Sequence, residues 1–316
     1  MKAIVIDRYG SPEVLQEREV EKPSPQGDRV LVKVHSSSVN PIDWKIRQGD
    51  LQLLSGFRFP LSLGCDFAGV VEAVGSEVSQ FHIGDEVYSF TNPIGGGAYA
   101  EYVSVPAASL ALKPDNMTFE EAAAVPVAGL TALQGLVDEG QLRPGQKVLI
   151  NGASGGVGTF ALQIAKAMSA EVTGVCSGKN AELVRSLGAD RIIDYTQQDF
   201  TQDTVRYDVI FDAVAKRSFS SCENVLQPQG IYVSTLPALD NLGAMVQSLI
   251  FPGKKAKFIL VKPIPRDFQA LRELIEAGKV RSIIDRTFPL SEIAAAHTYS
   301  ETGRTVGKIA IAVPVY

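Results

Sequence analysis

From Met1 to about Val105, apolar and polar positions alternate in short runs broken by turn residues. Alternation with a period of two marks half-buried strands. It predicts strands over Lys2–Asp7, Leu15–Val20, Arg29–Ser37, Asp66–Val74, Glu86–Phe90 and Ala98–Val105. Turns fall at Tyr9-Gly10-Ser11-Pro12, Ser24-Pro25-Gln26-Gly27-Asp28, Gly75-Ser76 and Ile83-Gly84-Asp85. Short strands with such frequent turns predict a compact barrel or sandwich. The segment Asn40–Gly64 is different: a long connection with one helix predicted at Ile42–Arg47. Connections of that length in compact domains often carry function.

Near Met117 the pattern changes. Thr118-Phe119-Glu120-Glu121 reads as a capping box opening an Ala-rich helix that Pro126 kinks or ends. Thr131–Glu139 is a second helix, with Gly140 as its C-cap. From Lys147 strands and helices alternate: strand Lys147–Asn151, helix Val157–Met168, strand Glu171–Cys176, helix Asn180–Leu187, and strands Arg191–Asp194 and Tyr207–Ala213. There follow helix Phe219–Leu226, strand Gly230–Thr235, a helix near Leu242–Ile250 and strand Ala256–Val261. Such alternation implies a doubly wound parallel sheet. After Pro263 come a helix over Arg266–Ala277, strand-like runs at Ser282–Phe288 and Lys308–Val313, and a helix at Ser291–Tyr299. The last strands are expected to rejoin the N-terminal β domain.

Composition adds exclusions. The chain has 316 residues, 45% apolar and 21% charged, which is ordinary for a globular protein of about two domains. A net charge of −5 gives no pull towards nucleic acid or anionic membranes. Three scattered cysteines, Cys65, Cys176 and Cys222, fit a reducing compartment and have no metal-ligand spacing. No apolar run is long enough to span a bilayer. Lys2 to Ile6 already reads as a strand, so no signal peptide is expected and the cytoplasm is the plain location.

The candidate chemistry centres on Ala153-Ser154-Gly155-Gly156-Val157-Gly158, between the strand ending at Asn151 and the helix that follows. Small residues in a strand–turn–helix let a dinucleotide pyrophosphate reach backbone N–H groups at the helix N-terminus. Ala153 stands where the usual motif has its first glycine, and a tight turn that binds nothing would also use such residues. About 20 residues on, a carboxylate would bond the ribose 2′-OH of NAD. Here the residues are Ser177, Gly178, Lys179 and Asn180, with no carboxylate before Glu182. A hydroxyl and an ammonium suit the 2′-phosphate of NADPH instead.

The order of parts resembles the medium-chain dehydrogenase/reductase superfamily. The resemblance rests on Val39-Asn40-Pro41-Ile42-Asp43, Gly64-Cys65-Asp66-Phe67-Ala68-Gly69, Gly84-Asp85-Glu86-Val87, Ala128-Gly129-Leu130-Thr131-Ala132, Gly152–Gly158 and Gly303 to Ile309. Most similar is the zinc-free quinone oxidoreductase (zeta-crystallin-like) group, with its enone and alkenal reductase relatives. The resemblance implies an α/β protein: a GroES-like catalytic domain of residues 1–122 and 263–316 and a Rossmann NADP-binding domain of residues 123–262. Zinc relatives bind metal through Cys and His, but Asn40 stands at the first ligand position and Cys65 replaces the histidine, so no metal is expected. His297, on the last predicted helix, reads as a packing or surface residue.

The resemblance also distributes roles. Asn40, Asp43 and Lys45 are the expected floor of the catalytic cleft. Thr131, Tyr195, Ser234, Thr235, Leu236, Phe258, Leu260, Gly307 and Lys308 are expected cofactor contacts beside the glycine loop and Ser177–Asn180. The enoyl-thioester reductases' tyrosine after Arg-x-Gly is Leu51 here, so no dedicated proton donor is evident. Leu51, Leu53, Leu54, Phe57 and Phe59 form either an apolar wall for a flat acceptor or a loop packing on its own domain. The expected activity is NADPH-dependent hydride transfer to a quinone or an α,β-unsaturated carbonyl, a small hydrophobic electrophile. The rivals are a zinc-free alcohol or ketone reductase and an NADPH-binding protein with incidental activity. Relatives pair through their sixth strands, so a homodimer through Ala256–Val261 is expected.

Overall fold

The computed structural model describes residues 1–56, 58–236 and 252–314. The chain divides into two compact units. The first comprises Met1–Val127, Pro263–Arg272 and Ser282–Tyr316; the second comprises Ala128–Lys262 and Glu273–Arg281. The expected helix near Leu242–Ile250 and the side chains of Leu54 and Phe57 lie outside the described residues.

The first unit is built around the strand Arg29–Val39. It pairs antiparallel with Asp66–Val74, with Tyr102–Pro106 and with the C-terminal strand Lys308–Ala312. It is buried along nearly its whole length, as a strand covered on both faces is. Beyond them lie Ile284–Pro289 on one side and Glu86–Phe90 with Ala111–Leu112 on the other. A small sheet of Gln16–Glu19, Lys2–Ile6 and Leu61–Ser62 completes the β structure. The core includes Ile4, Ile6, Val32, Val34, Leu63, Phe67, Val87, Ile309 and Ile311. The chain's last strand thus belongs to the first unit, the expected return.

The second unit is a six-stranded parallel sheet. Its strands, in chain order, are Lys147–Asn151, Glu171–Cys176, Arg191–Asp194, Tyr207–Asp212, Leu226–Ser234 and Lys255–Phe258. Numbered within the unit, their spatial order is 3-2-1-4-5-6, the Rossmann order. Helix Gly156–Ala167 covers the central strands with a fully buried stretch from Gly158 to Ala165.

Two expectations change. Pro126 neither kinks nor ends a helix; Phe119–Ala123 stops first and Pro126 opens a new helix, Pro126–Gln134. Proline suits a first turn, where its missing N–H is not needed. The last predicted strand of the β-rich half shrinks from Ala98–Val105 to Tyr102–Pro106, leaving Tyr99 off the ladder and wholly buried. Gly64 makes room: with φ +94, a Cβ there would lie 2.6 Å from the Tyr99 backbone nitrogen. The capping box at Thr118 and Glu121 forms as expected, with both reciprocal bonds.

Candidate cofactor edge and buried polar cage

In the second unit the strands' C-terminal ends line up. Asn151 lies opposite Asp212, Asp212 opposite Ser234, Ser234 opposite Phe258, and Cys176 opposite Asp194. The strand order reverses beside Lys147–Asn151, the switch point where open α/β sheets bind ligands. The glycine turn leaves the sheet there. Gly152 has φ +80, and a Cβ on it would lie 2.6 Å from Val214 Cγ1. A Cβ on Gly158 would press into the Gly152 carbonyl and lie 2.8 Å from Ala153 Cα, so this glycine sets the close helix–strand approach. Ala153 is buried where the motif has glycine, and Gly174 on the neighbouring strand leaves space for it.

No side chain caps the helix that starts after Gly155. Its first N–H groups, on Gly156, Val157 and Gly158, precede any intrahelical acceptor and carry the positive end of the helix dipole. An uncapped, partly exposed helix start fits a pyrophosphate without further adjustment.

The neighbouring turn is tied to this loop. Asn180 Nδ2 donates to Ser154 Oγ at 3.0 Å. Ser177 is half-buried, Gly178 and Lys179 are exposed, and Tyr195 is 61% exposed. Tyr195 N donates to Cys176 O at 3.1 Å, bringing the tyrosine beside Ser177. Thus Ser154–Gly158, Ser177–Asn180 and Tyr195 form one open polar cluster. Further along the edge, Thr235 N donates to Asp212 O, Ser234 Oγ donates to Leu236 O at 2.9 Å, and Ile259 N donates to Ser234 O. Phe258 is half-buried and Leu260 is 71% exposed. Thr131 is buried in helix Pro126–Gln134.

Asp212 organises this edge from beneath. It accepts from Asn151 Nδ2, from the N–H groups of Val214, Ala215 and Arg217, and from Tyr232 O–H. Asp212 is not among the expected site residues. A carboxylate closing an otherwise apolar buried strand was the available signal.

The first unit holds a different kind of cluster. Asp43 is buried and accepts from Asn40 N at 2.7 Å, Tyr99 O–H at 3.1 Å and Cys65 S–H at 3.0 Å. Asn40 Nδ2 donates to Asp66 Oδ2 at 2.8 Å, and Lys308 Nζ donates to Asn40 Oδ1 at 2.5 Å. The Lys308 ammonium also lies 3.4 Å from Asp66 Oδ2 and donates to Val39 O. Ser38 O–H and Val127 N–H complete the donors to Asp66. Burial pushes the Asp43 carboxyl up to about 6 against the pull of its donors. Burial likewise pushes the Cys65 thiol and the Tyr99 phenol well up. His297 packs edge-on to Tyr99, its Nε2 3.3 Å from the phenol oxygen. Burial drives its pKa down to about 3.

Asn40, Asp43 and Lys308 are therefore brought together, and they satisfy one another. Lys45 is the member of the expected set that stays open: it is half-buried, 5.7 Å from the Trp44 ring, and meets no acceptor among the described residues. Gly307 has φ +77 and presses against the Ile283 carbonyl, which no side chain would allow. In the segment after Gly49, Leu51 and Phe59 pack on the unit's own core, while Leu53 is 91% exposed. Among the described residues no three His, Cys, Asp or Glu side chains are arranged to hold a metal ion.

Comparison with known proteins places this arrangement. Residues 26–115 match the alcohol dehydrogenase GroES-like domain, and residues 187–311 match the zinc-binding dehydrogenase family. A chloroplast envelope quinone oxidoreductase homolog of Arabidopsis thaliana is 34% identical over 98% of both chains. An NADPH-dependent alkenal/one oxidoreductase of the same plant is 35% identical, covering 98% of this chain and 79% of that protein. The solved quinone oxidoreductase of Coxiella burnetii superposes with a TM-score of 0.89 at 33% identity, covering 99% of each chain. The Escherichia coli quinone oxidoreductase complexed with NADPH gives 0.85 at 26% identity, covering 99% of this chain and all of that one. Similarity sustained along nearly the whole length decides the lineage: the chain belongs to the medium-chain dehydrogenase/reductase family, in its quinone oxidoreductase branch.

Proposed function

We propose that the protein is an NADPH-dependent reductase of quinones or α,β-unsaturated carbonyls. The observation that carries this reading is the open polar cluster of the second unit, where an uncapped helix start adjoins a turn bearing Ser177 and Lys179. The amides of Gly156, Val157 and Gly158 would hold the pyrophosphate. Ser177, Lys179 and Tyr195 would hold the 2′-phosphate, and Gly178 and Asn180 shape their turn. Thr131, Ser234, Thr235, Leu236, Phe258 and Leu260 would line the nicotinamide half. When bound, the cofactor supplies a hydride. We assign residues 123–262 to cofactor binding and residues 1–122 with 263–316 to the acceptor.

The cage in the first unit supports chemistry without a metal. Asn40 and Cys65 are spent on hydrogen bonds, and an ammonium already sits among the carboxylates. A bound dication would have to displace Lys308 against charge repulsion. An electron-poor quinone or enone needs no Lewis acid, and its oxyanion or enolate takes a proton from water. Lys45 meets no acceptor among the described residues and is a cation open to the acceptor, and orientation supplies most of the rate. We further read the edge strand Lys255–Phe258 as the contact of a homodimer, which light scattering tests, and place the protein in the cytoplasm.

The deciding experiment is steady-state turnover of a quinone and an alkenone with NADPH and NADH, with and without a chelator. The reading expects NADPH oxidation with at least one acceptor, insensitive to chelator. Preference for NADH sinks the cofactor assignment. Tight NADPH binding with neither acceptor turned over makes the protein a binder.

A further inference from the structure

Beneath the turn expected to hold the 2′-phosphate lies a carboxylate that sequence spacing did not place there. Asp194 ends the third strand of the parallel sheet, in register with Cys176 at the end of the second. Its Oδ2 lies 2.5 Å from the point a Cβ on Gly178 would occupy. Its Oδ1 accepts from Thr196 N at 3.0 Å and from Thr196 O–H at 2.8 Å. The Thr196 bonds, with the Gly178 N–H behind them, hold its pKa below the usual carboxylate range, so it is ionised at neutral pH.

Asp194 therefore touches both segments that meet at the cluster. Its side chain lies against the backbone of the Ser177–Asn180 turn. The next residue in the chain, Tyr195, donates its N–H to Cys176 O, and Asp194 O accepts from Gln197 and Gln198. A carboxylate beside a phosphate site would repel the phosphate if it pointed at it. One already committed to backbone N–H groups and a hydroxyl has its charge partly neutralised by those donors. It then fixes where Ser177, Lys179 and Tyr195 present their own groups.

We propose that Asp194 is a positioning residue for 2′-phosphate selectivity: it holds the Ser177–Lys179 turn and Tyr195 in one arrangement, and Gly178 is glycine so that the carboxylate can reach the turn. This rests on the NADPH reading, deepening it by one residue.

The test uses the full chain and calorimetric titration with adenosine 2′,5′-bisphosphate and, separately, adenosine 5′-monophosphate, with no turnover involved. Wild type is expected to prefer the bisphosphate; no preference overturns the NADPH reading itself, and this inference with it. Given that preference, Asp194→Ala should weaken the bisphosphate about tenfold while leaving the monophosphate within about twofold. Asp194→Asn, which keeps an acceptor without the charge, should retain most of the preference. Gly178→Ala, which keeps Asp194 but places a methyl against it, should also lower the preference. Three results overturn the role: an unchanged ratio in Asp194→Ala, equal loss of both ligands, or tighter bisphosphate binding in Asp194→Ala and Asp194→Asn alike. The last would make the carboxylate a repelling charge. If Asp194→Ala does not fold, the Gly178→Ala ratio decides by the same criteria.

Discussion

Two polar clusters carry the expected site residues, and they differ in what their donors and acceptors meet. In the first unit Asn40, Asp43, Asp66 and Lys308 are almost entirely removed from solvent and bond one another. In the second, Ser154–Val157, Ser177–Lys179 and Tyr195 stand partly or fully exposed around an uncapped helix start. Both were expected to touch ligand. Buried polar groups must be satisfied internally, because an unpaired one costs on the order of 1–3 kcal/mol. Open groups at a helix start lose little by waiting for an anion. On the proposed reading the cage is scaffold that orients its neighbours, and the edge is the surface that would meet a phosphate.

The largest test of this contrast is Lys308→Met. It leaves the Asp66 carboxylate, fully buried, without its ammonium. Losing one partner of a buried pair is expected to destabilise by about 3–5 kcal/mol, read as a lower urea midpoint. Adding Asp66→Asn should restore part of it. Should Lys308→Met keep wild-type stability yet bind NADPH poorly, Lys308 belongs with the cofactor residues and the contrast breaks.

Next in size is a pH effect confined to the cage. His297 has a folded pKa of about 3, below its unfolded value, so its neutral form stabilises the fold above about pH 6.5 and that contribution is lost as pH falls. Asp43 runs the other way. Its folded pKa of about 6 lies above the unfolded value, so its contribution is full at low pH and lost as pH rises through 6. Between roughly pH 4 and 6 the two slopes oppose and, at one proton each, cancel. On these two groups, urea midpoints of wild type should change little from about pH 6 to 4 and fall below about pH 4. His297→Leu leaves the Asp43 slope unopposed, so its urea midpoint should rise as pH drops from about 6 to 4. An unchanged slope would mean that the ring is not held neutral by burial.

The sheet of the second unit was legible in the sequence because its strands are short apolar runs between glycine and polar turns. Lys147–Asn151, Glu171–Cys176 and Arg191–Asp194 begin and end at the expected residues. Features that depend on distant partners were not legible. The contact of Asp194 with Gly178 follows from register between two strands, which spacing along one strand does not contain. Lys308 is drawn inside because Ile309 pairs with Val39, at opposite ends of the chain. Tyr99 leaves its ladder for the interior because Gly64 and His297 receive it there. Pro126 is ambiguous in the sequence for a simpler reason: helical periodicity continues across it, and a kink and a fresh helix start give the same pattern.

At the open edge the expected effects are smaller and fall on binding. Lys179→Ala removes an exposed ammonium and should raise the Km for NADPH about tenfold while leaving that for NADH and the urea midpoint unchanged. A loss shared equally by both cofactors would count against a 2′-phosphate contact.

The smallest and most discriminating change is Asn180→Ala. Its Nδ2 bond to Ser154 Oγ joins the glycine turn to the Ser177–Asn180 turn, and both partners are only part-buried. A neutral, partly solvated hydrogen bond contributes about 0.5–1 kcal/mol, so NADPH affinity should fall about threefold, measured by fluorescence titration. Water can replace the lost partner in the free protein, and the urea midpoint should therefore stay put. The cage has no such tolerance, since water cannot reach Asn40 or Asp66 to replace a lost donor. If Asn180→Ala lowered stability while sparing affinity, the edge would be as self-satisfied as the cage, and exposure would no longer separate scaffold from binding surface in this fold.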